Sequence, residues 1–238
     1  MRTKERLLCI IQRLLEVYPN AHCELDFATP FQLLVATILS AQCTDKRVNI
    51  VTRDLFQKYP TADELAMVSQ DELELAIKTT GFYRNKAKNL RAMAKGLVEK
   101  HQGEVPHTMG ELTQLAGVGR KTANVVLGNA FSIAEGIVVD THVARLAKRL
   151  SLTTTDDPEK IETDLMRLVL QSQWTIFSHL LIWHGRRRCY ARNPDCTNCE
   201  IGSFCPSYGK FVKNPRGSKP PPVSPKKRLL RVGPDKKL

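Results

Sequence analysis

The chain has 238 residues, 42% of them hydrophobic, with 36 Lys or Arg against 24 Asp or Glu for a net charge of +12. That length suits one large domain or two small ones, and the apolar content excludes a wholly disordered chain. The charge favours a polyanion partner, nucleic acid before an anionic membrane. It is uneven: residues 210–238 hold ten Lys or Arg and one Asp, which leaves only +3 for the remainder. The folded body must therefore bind through local patches.

The opening run MRTKERLLCIIQRLLEVYP is too charged and too periodic for a signal peptide. No apolar run reaches spanning length, so a cytoplasmic protein with no membrane partner is expected. Leu7, Leu8, Ile11, Leu14 and Leu15 recur at helical spacing. Thr29-Pro30 is a helix start ahead of FQLLVATIL. A helix near 45–58 follows. Ser69 to Glu72 and Thr108 to Glu111 read as capping boxes, and Gly81 and Gly103 as helix stops. Further helical segments fall at 85–101, 119–130, 142–150, 157–171 and 174–184. Only IVVD at 137–140 reads as strand, and it is too short to build a sheet. An all-α fold of about ten short helices is expected. From Pro215 the chain is rich in Pro, Lys and Arg, so a disordered basic tail is assigned to 211–238. Such a tail would raise non-specific affinity for DNA.

The stretch LAGVGRK at 115–121 carries the most chemistry. A phosphate-binding P-loop would need GxxxxGK[ST] after a strand. Here Arg120 separates Gly119 from Lys121 and TMGELTQL before it is helical, so no nucleotide cofactor is expected. The alternative is a helix–hairpin–helix, with Gly117-Val118-Gly119 as the hairpin, Val118 turned inward and backbone N–H groups offered to a DNA phosphate. Lys121 is then either a phosphate clamp or a nucleophile. A nucleophilic lysine must be neutral when it attacks, against an unperturbed pKa of ~10.4. Helix N-terminus, neighbouring Arg120 and burial in a cleft would all favour the neutral amine. Asp140, in IVVDTH, can stabilise positive charge on a sugar or move protons, or it can simply cap the next helix.

Seven cysteines divide into two sets. Cys9, Cys23 and Cys43 read as small buried hydrophobes. Cys189, Cys196, Cys199 and Cys205 follow C-x6-C-x2-C-x5-C. Four thiolates suit tetrahedral zinc or a [4Fe-4S] cluster; one CxxC with wide flanking gaps favours the cluster. Arg186, Arg187 and Arg188 precede it and Arg192 lies in its first loop, where a pinned segment could present them to phosphates. Trp174, Trp183, His179 and His184 read as structural.

LxGVGRKTANVV at 115–126, VDTHVxRLxxRL at 139–150 and the four-cysteine spacing together resemble endonuclease III, the bifunctional DNA glycosylase and abasic-site lyase of base excision repair. LLVATILSAQxTD at 33–45 and IKTTGFYRNKAKNL at 77–90 resemble it too, so the likeness covers residues 1–210. It implies two helical lobes around a DNA cleft. One is a six-helix barrel at 22–135; the other joins 1–21 to 136–210 and carries the [4Fe-4S] cluster on the four cysteines. Lys121 matches the family's nucleophile and Asp140 its carboxylate. Gln42 matches the residue that fills the gap left by a flipped base, and Phe82 lies on the loop that wedges into the duplex. Asp45 and His142 fall where the family lines its pocket. Gly117, Val118, Gly119, Arg120, Arg187 and Arg192 complete the expected DNA contacts. The resemblance implies a monomer acting on oxidised pyrimidines in damaged double-stranded DNA. The chain departs from the pattern at Ala116, where the hairpin usually has Pro, at Cys43, where Ala is common, and at Phe82, often Leu. The competing readings are an adenine-specific mismatch glycosylase, a non-catalytic DNA-binding module and a redox protein.

Overall fold

The computed structural model describes residues 2–212. All regular structure among them is helical: α1 (Thr3–Val17), α2 (Pro30–Leu39), α3 (Asp45–Lys58), α4 (Ala62–Met67), α5 (Gln70–Ile77), α6 (Tyr83–His101), α7 (Met109–Leu112), α8 (Arg120–Ala130), α9 (Thr141–Arg149), α10 (Pro158–Leu168), α11 (Trp174–Arg187) and α12 (Tyr208–Phe211). No helix among the described residues is long and apolar enough to cross a membrane.

Side-chain caps set most of the starts. Thr29 Oγ1 accepts from Gln32 N at 3.2 Å with Pro30 at the first helical position, as the sequence predicts for α2. The two expected capping boxes are half-formed. Ser69 and Thr108 accept the N–H groups of Glu72 and Glu111, but Glu72 turns to Lys58 and Tyr59, while Glu111 takes the Thr108 hydroxyl. A complete box joins Thr61 and Glu64, at the start of a helix the sequence reading omits, α4. IVVD at 137–140 forms no strand; its Val138 N–H donates instead to Ser178 Oγ at 3.1 Å.

Buried apolar side chains separate into two cores. The first lies among α2 to α8, with Leu34, Leu39, Leu73, Leu90, Met93 and Leu127. At its centre α2 is buried on nearly every face and packs against α3, α6 and α8. Each buried Leu or Ile contributes ~1.5–3 kcal/mol. The second core joins α1 to α9, α10 and α11 through Leu7, Ile10, Leu14, Leu146, Leu165 and Phe177. The chain leaves it after α1, builds the first core, and returns after α8. Cys9, Cys23 and Cys43 are half-buried, not enclosed as expected. Phe211, assigned by composition to the tail, ends α12 and lies 4.6 Å from the Arg149 guanidinium. From residue 213 onward that tail falls outside the described residues.

Candidate functional site

Residues 115–121 form a tight bend between α7 and α8. Gly117 has φ +75°, and a Cβ there would lie 3.0 Å from Asn89 Cβ, so both backbone conformation and the approach of α6 require glycine. Val118 is buried and its N–H bonds the Leu115 carbonyl. Its N–H is therefore spent inside the hairpin. The start of α8 has no side-chain cap and no acidic residue in its first turn. Its leading N–H groups thus lack the partners that Thr or Asp supply to α2, α3 and α9, which leaves an anion-binding end.

Lys121 is exposed on the first turn of α8 and lines a pocket of about 200 Å³ between the two cores. Asp140 and Asp45 line the same pocket, as do His179, Asn129 and Arg186. Asp140 is the N-cap of α9: its Oδ1 accepts from His142 N and Val143 N, both at 2.8 Å, while Oδ2 takes no hydrogen bond from the described residues. The carboxylate is thereby fixed in orientation with one oxygen free for chemistry.

The arginines are less available than their sequence suggests. Arg120 is paired through Nε (2.8 Å) and Nη2 (3.0 Å) with the buried Glu162 carboxylate, which also accepts from Asn124 Nδ2 at 2.9 Å. Its charge is neutralised there, so it adds little to the repulsion expected at Lys121. Arg186 Nη1 donates to Glu24 and, at 2.6 Å, to Asp45. Arg187 donates to the other oxygen of Glu24 at 2.7 Å and stacks 3.9 Å over the Trp183 ring. Arg188 binds Asp195 and Glu200. Arg192 is exposed and makes no ion pair or hydrogen bond with the described residues.

His142 and Asp45 border a second, more open groove beside the pocket. His142 Nδ1 accepts from Arg145 at 3.0 Å, and burial lowers its pKa. Gln42 and Phe82 are exposed and lie outside both cavities. Both hold left-handed backbone, with φ +53° and +49°, a strain that non-glycine residues keep only where their surroundings enforce it.

Cys189, Cys196, Cys199 and Cys205 are unpaired and line one small pocket under Arg149 and His184. Burial raises the pKa of Cys196 and Cys205 and lifts that of Cys199 to about 12. Thiolates there need compensating positive charge. Arg149 Nη1 supplies one such contact, 3.1 Å from Cys189 Sγ. Among the described residues no three His, Cys, Asp or Glu side chains are gathered to hold a metal ion, as a zinc at 2.3 Å from each sulfur would require.

Sequence reasoning missed Glu24, Asn129 and His179 as pocket walls. Nothing local marks them, since Glu24 meets Arg186 across 162 positions and Asn129 meets His179 across 50.

The hairpin, the pocket shared by Lys121 and Asp140 and the two helical cores define a base-excision DNA repair protein: the profile of the "HhH-GPD superfamily base excision DNA repair protein" matches residues 35–171. An endonuclease III from a Synechocystis species is 54% identical over 204 residues, spanning 86% of this chain and 93% of that relative. The chain belongs to the endonuclease III family. Two solved structures are similar over 88% of the chain at 43% identity and a TM-score of 0.84. One is a non-covalent endonuclease III–DNA complex, covered to 98%, and the other a trapped endonuclease III–DNA covalent intermediate, covered to 99%.

Proposed function

We propose that this chain is a base-excision DNA glycosylase and abasic-site lyase that releases oxidised pyrimidines from duplex DNA through Lys121. The observation that carries the reading is the meeting of Lys121 and Asp140 on the wall of one pocket between the cores, beside an uncapped helix start. The α8 N–H groups hold a backbone phosphate without choosing sequence. The damaged nucleotide leaves the stack, at a cost of a few kcal/mol that is smallest for a poorly stacked base.

Lys121 Nζ attacks C1′ and the bond to the base breaks, the base leaving with its electron pair and a proton. Asp140 stabilises the developing positive charge and assists proton transfer. Ring opening gives a protonated imine at C1′, with the ring oxygen protonated. Loss of a C2′ proton then expels the 3′ phosphate, nicking the strand 3′ to the site; hydrolysis frees the lysine. Gln42 fills the vacated stack and Phe82 wedges beside it. Asp45 and His142 border the extruded base, and Arg192, unpaired among the described residues, meets a phosphate, whereas Arg187 must first leave Glu24 to do so. The lobes that close on DNA are 22–135 and 1–21 with 136–210.

The four-thiol donor set around one small pocket fits a [4Fe-4S] cluster. Bound there, such a cluster supplies the positive charge these buried sulfurs lack and staples the loop that carries Arg192. The protein acts as a cytoplasmic monomer. Borohydride reduction during turnover should leave the wild type covalently joined to abasic DNA, and Lys121→Gln should lose the adduct while still binding. An adduct in that variant would refute the assignment of Lys121. A colourless preparation containing zinc would replace the cluster with a zinc site.

A further inference from the structure

The least expected charge in the first core is Lys86, on the second turn of α6. It is 5% exposed, and burial lowers its pKa. None of the described carboxylates pairs with it. Its ammonium instead donates to two backbone carbonyls, Leu39 O and Thr80 O, each at 2.8 Å.

Those two carbonyls have a common character and a common location. Leu39 is the last residue of α2 and Thr80 the last of the 3-10 turn Lys78–Thr80, so both are terminal carbonyls without an intrahelical donor. Each sits at the negative end of its helix, which suits a cation. Gln42 follows Leu39 by three residues and Phe82 follows Thr80 by two. The Lys86 N–H also bonds the Phe82 carbonyl at 3.1 Å, so residue 86 holds the 80–82 turn from both flanks. Gly81 and Phe82 within that turn, and Gln42 beyond α2, all have positive φ.

We propose that Lys86 is a positioning residue that clamps the loops bearing Gln42 and Phe82 to each other, so that both enter the duplex as one rigid fork. This rests on the reading of Gln42 and Phe82 as the residues that enter DNA. A neutral apolar side chain would bury equally well at this position but would leave two carbonyls unsatisfied and the two loops free to move separately. Lysine reaches both acceptors because its three donors fan out from one atom.

The test uses full-length protein and duplexes carrying an uncleavable tetrahydrofuran abasic analogue next to 2-aminopurine, whose fluorescence rises when it unstacks. Gln42→Ala and Phe82→Ala should each lower the amplitude at saturating protein. Lys86→Met should lower it at least as far as either. The same variant should nick abasic duplex roughly 10- to 100-fold more slowly, the loss expected for a misplaced binding element. It should nick an abasic single strand, where nothing has to be opened, within about twofold of wild type, and Lys86→Arg should recover part of the duplex rate. If Lys86→Met does not fold, Lys86→Gln, whose amide nitrogen sits one bond nearer the backbone and falls short of the two carbonyls, should show the same duplex-selective loss. A normal amplitude in the Lys86 variants, with both loop variants impaired, overturns the clamp and leaves the loop reading intact. Equal losses on duplex and single strand also overturn it, because they mark general destabilisation. Normal amplitudes in the loop variants refute the loop reading itself, and the clamp with it.

Discussion

Asp140 shows how one side chain serves fold and chemistry with different oxygens. Its Oδ1 takes two N–H groups at the start of α9, and Oδ2 is left to the pocket it shares with Lys121. The two roles separate by substitution. Asp140→Asn keeps an acceptor at Oδ1, and Asn caps as well as Asp. Only the charge attraction to the helix start is lost, ~0.3–1 kcal/mol. Asp140→Ala removes the cap as well and should cost about 1 kcal/mol more. Single-turnover base release should fall by roughly 10²–10⁴ in both, the range for a positioned proton-transfer group. Urea midpoints and rates measured on the same preparations check the separation; full activity in Asp140→Asn would reduce the residue to a cap.

Elements whose instructions are local could be read from the sequence. Pro30 after Thr29 marks α2, and the apolar spacing of Leu7, Ile11 and Leu14 marks α1. The hairpin glycines and the four cysteines are local patterns of the same kind. The state of the arginines could not be read, because each partner arrives from a distant element. Arg120 on α8 is held by Glu162 on α10, 42 positions away, and that pair joins the two cores. Packing around it is close: a Cβ on Gly136 would collide with Glu162 Oε1. Glu162→Ala should therefore act in two directions. Losing the acceptor for Arg120 and Asn124 should destabilise the protein by ~1–3 kcal/mol. At the same time the released guanidinium, on the first turn of α8, becomes free for a phosphate, and the slope of log K against log salt should steepen by ~0.9 for that one contact. Unfolding and salt-titrated DNA binding give the two numbers; a weaker salt slope would mean that Arg120 is lost to the DNA surface rather than gained.

Across the whole molecule the two apolar cores are joined by polar bridges: Arg120 to Glu162, Arg186 to Glu24 and Asp45, Trp183 Nε1 to the His22 carbonyl, and His179 Nε2 to Asn129 Oδ1 at 2.8 Å. The last of these makes the junction sensitive to acid. Burial pushes the His179 pKa down to about 4, against 6.5 for the free side chain. Between those values the unfolded chain binds a proton that the folded one refuses, so stability rises with pH. The contribution is fully present above pH 6.5 and is lost as pH falls toward 4, up to ~3 kcal/mol over the interval. Neutral His179 carries its proton on Nε2 and donates it to Asn129, a role the Gln amide also fills without titrating. His179→Gln should therefore lose less stability than wild type between pH 7 and pH 5, with similar stability at pH 7. Denaturant unfolding at the two pH values decides it. If the two proteins weaken equally on acidification, the acid sensitivity lies in other groups and the α8–α11 bridge is indifferent to pH.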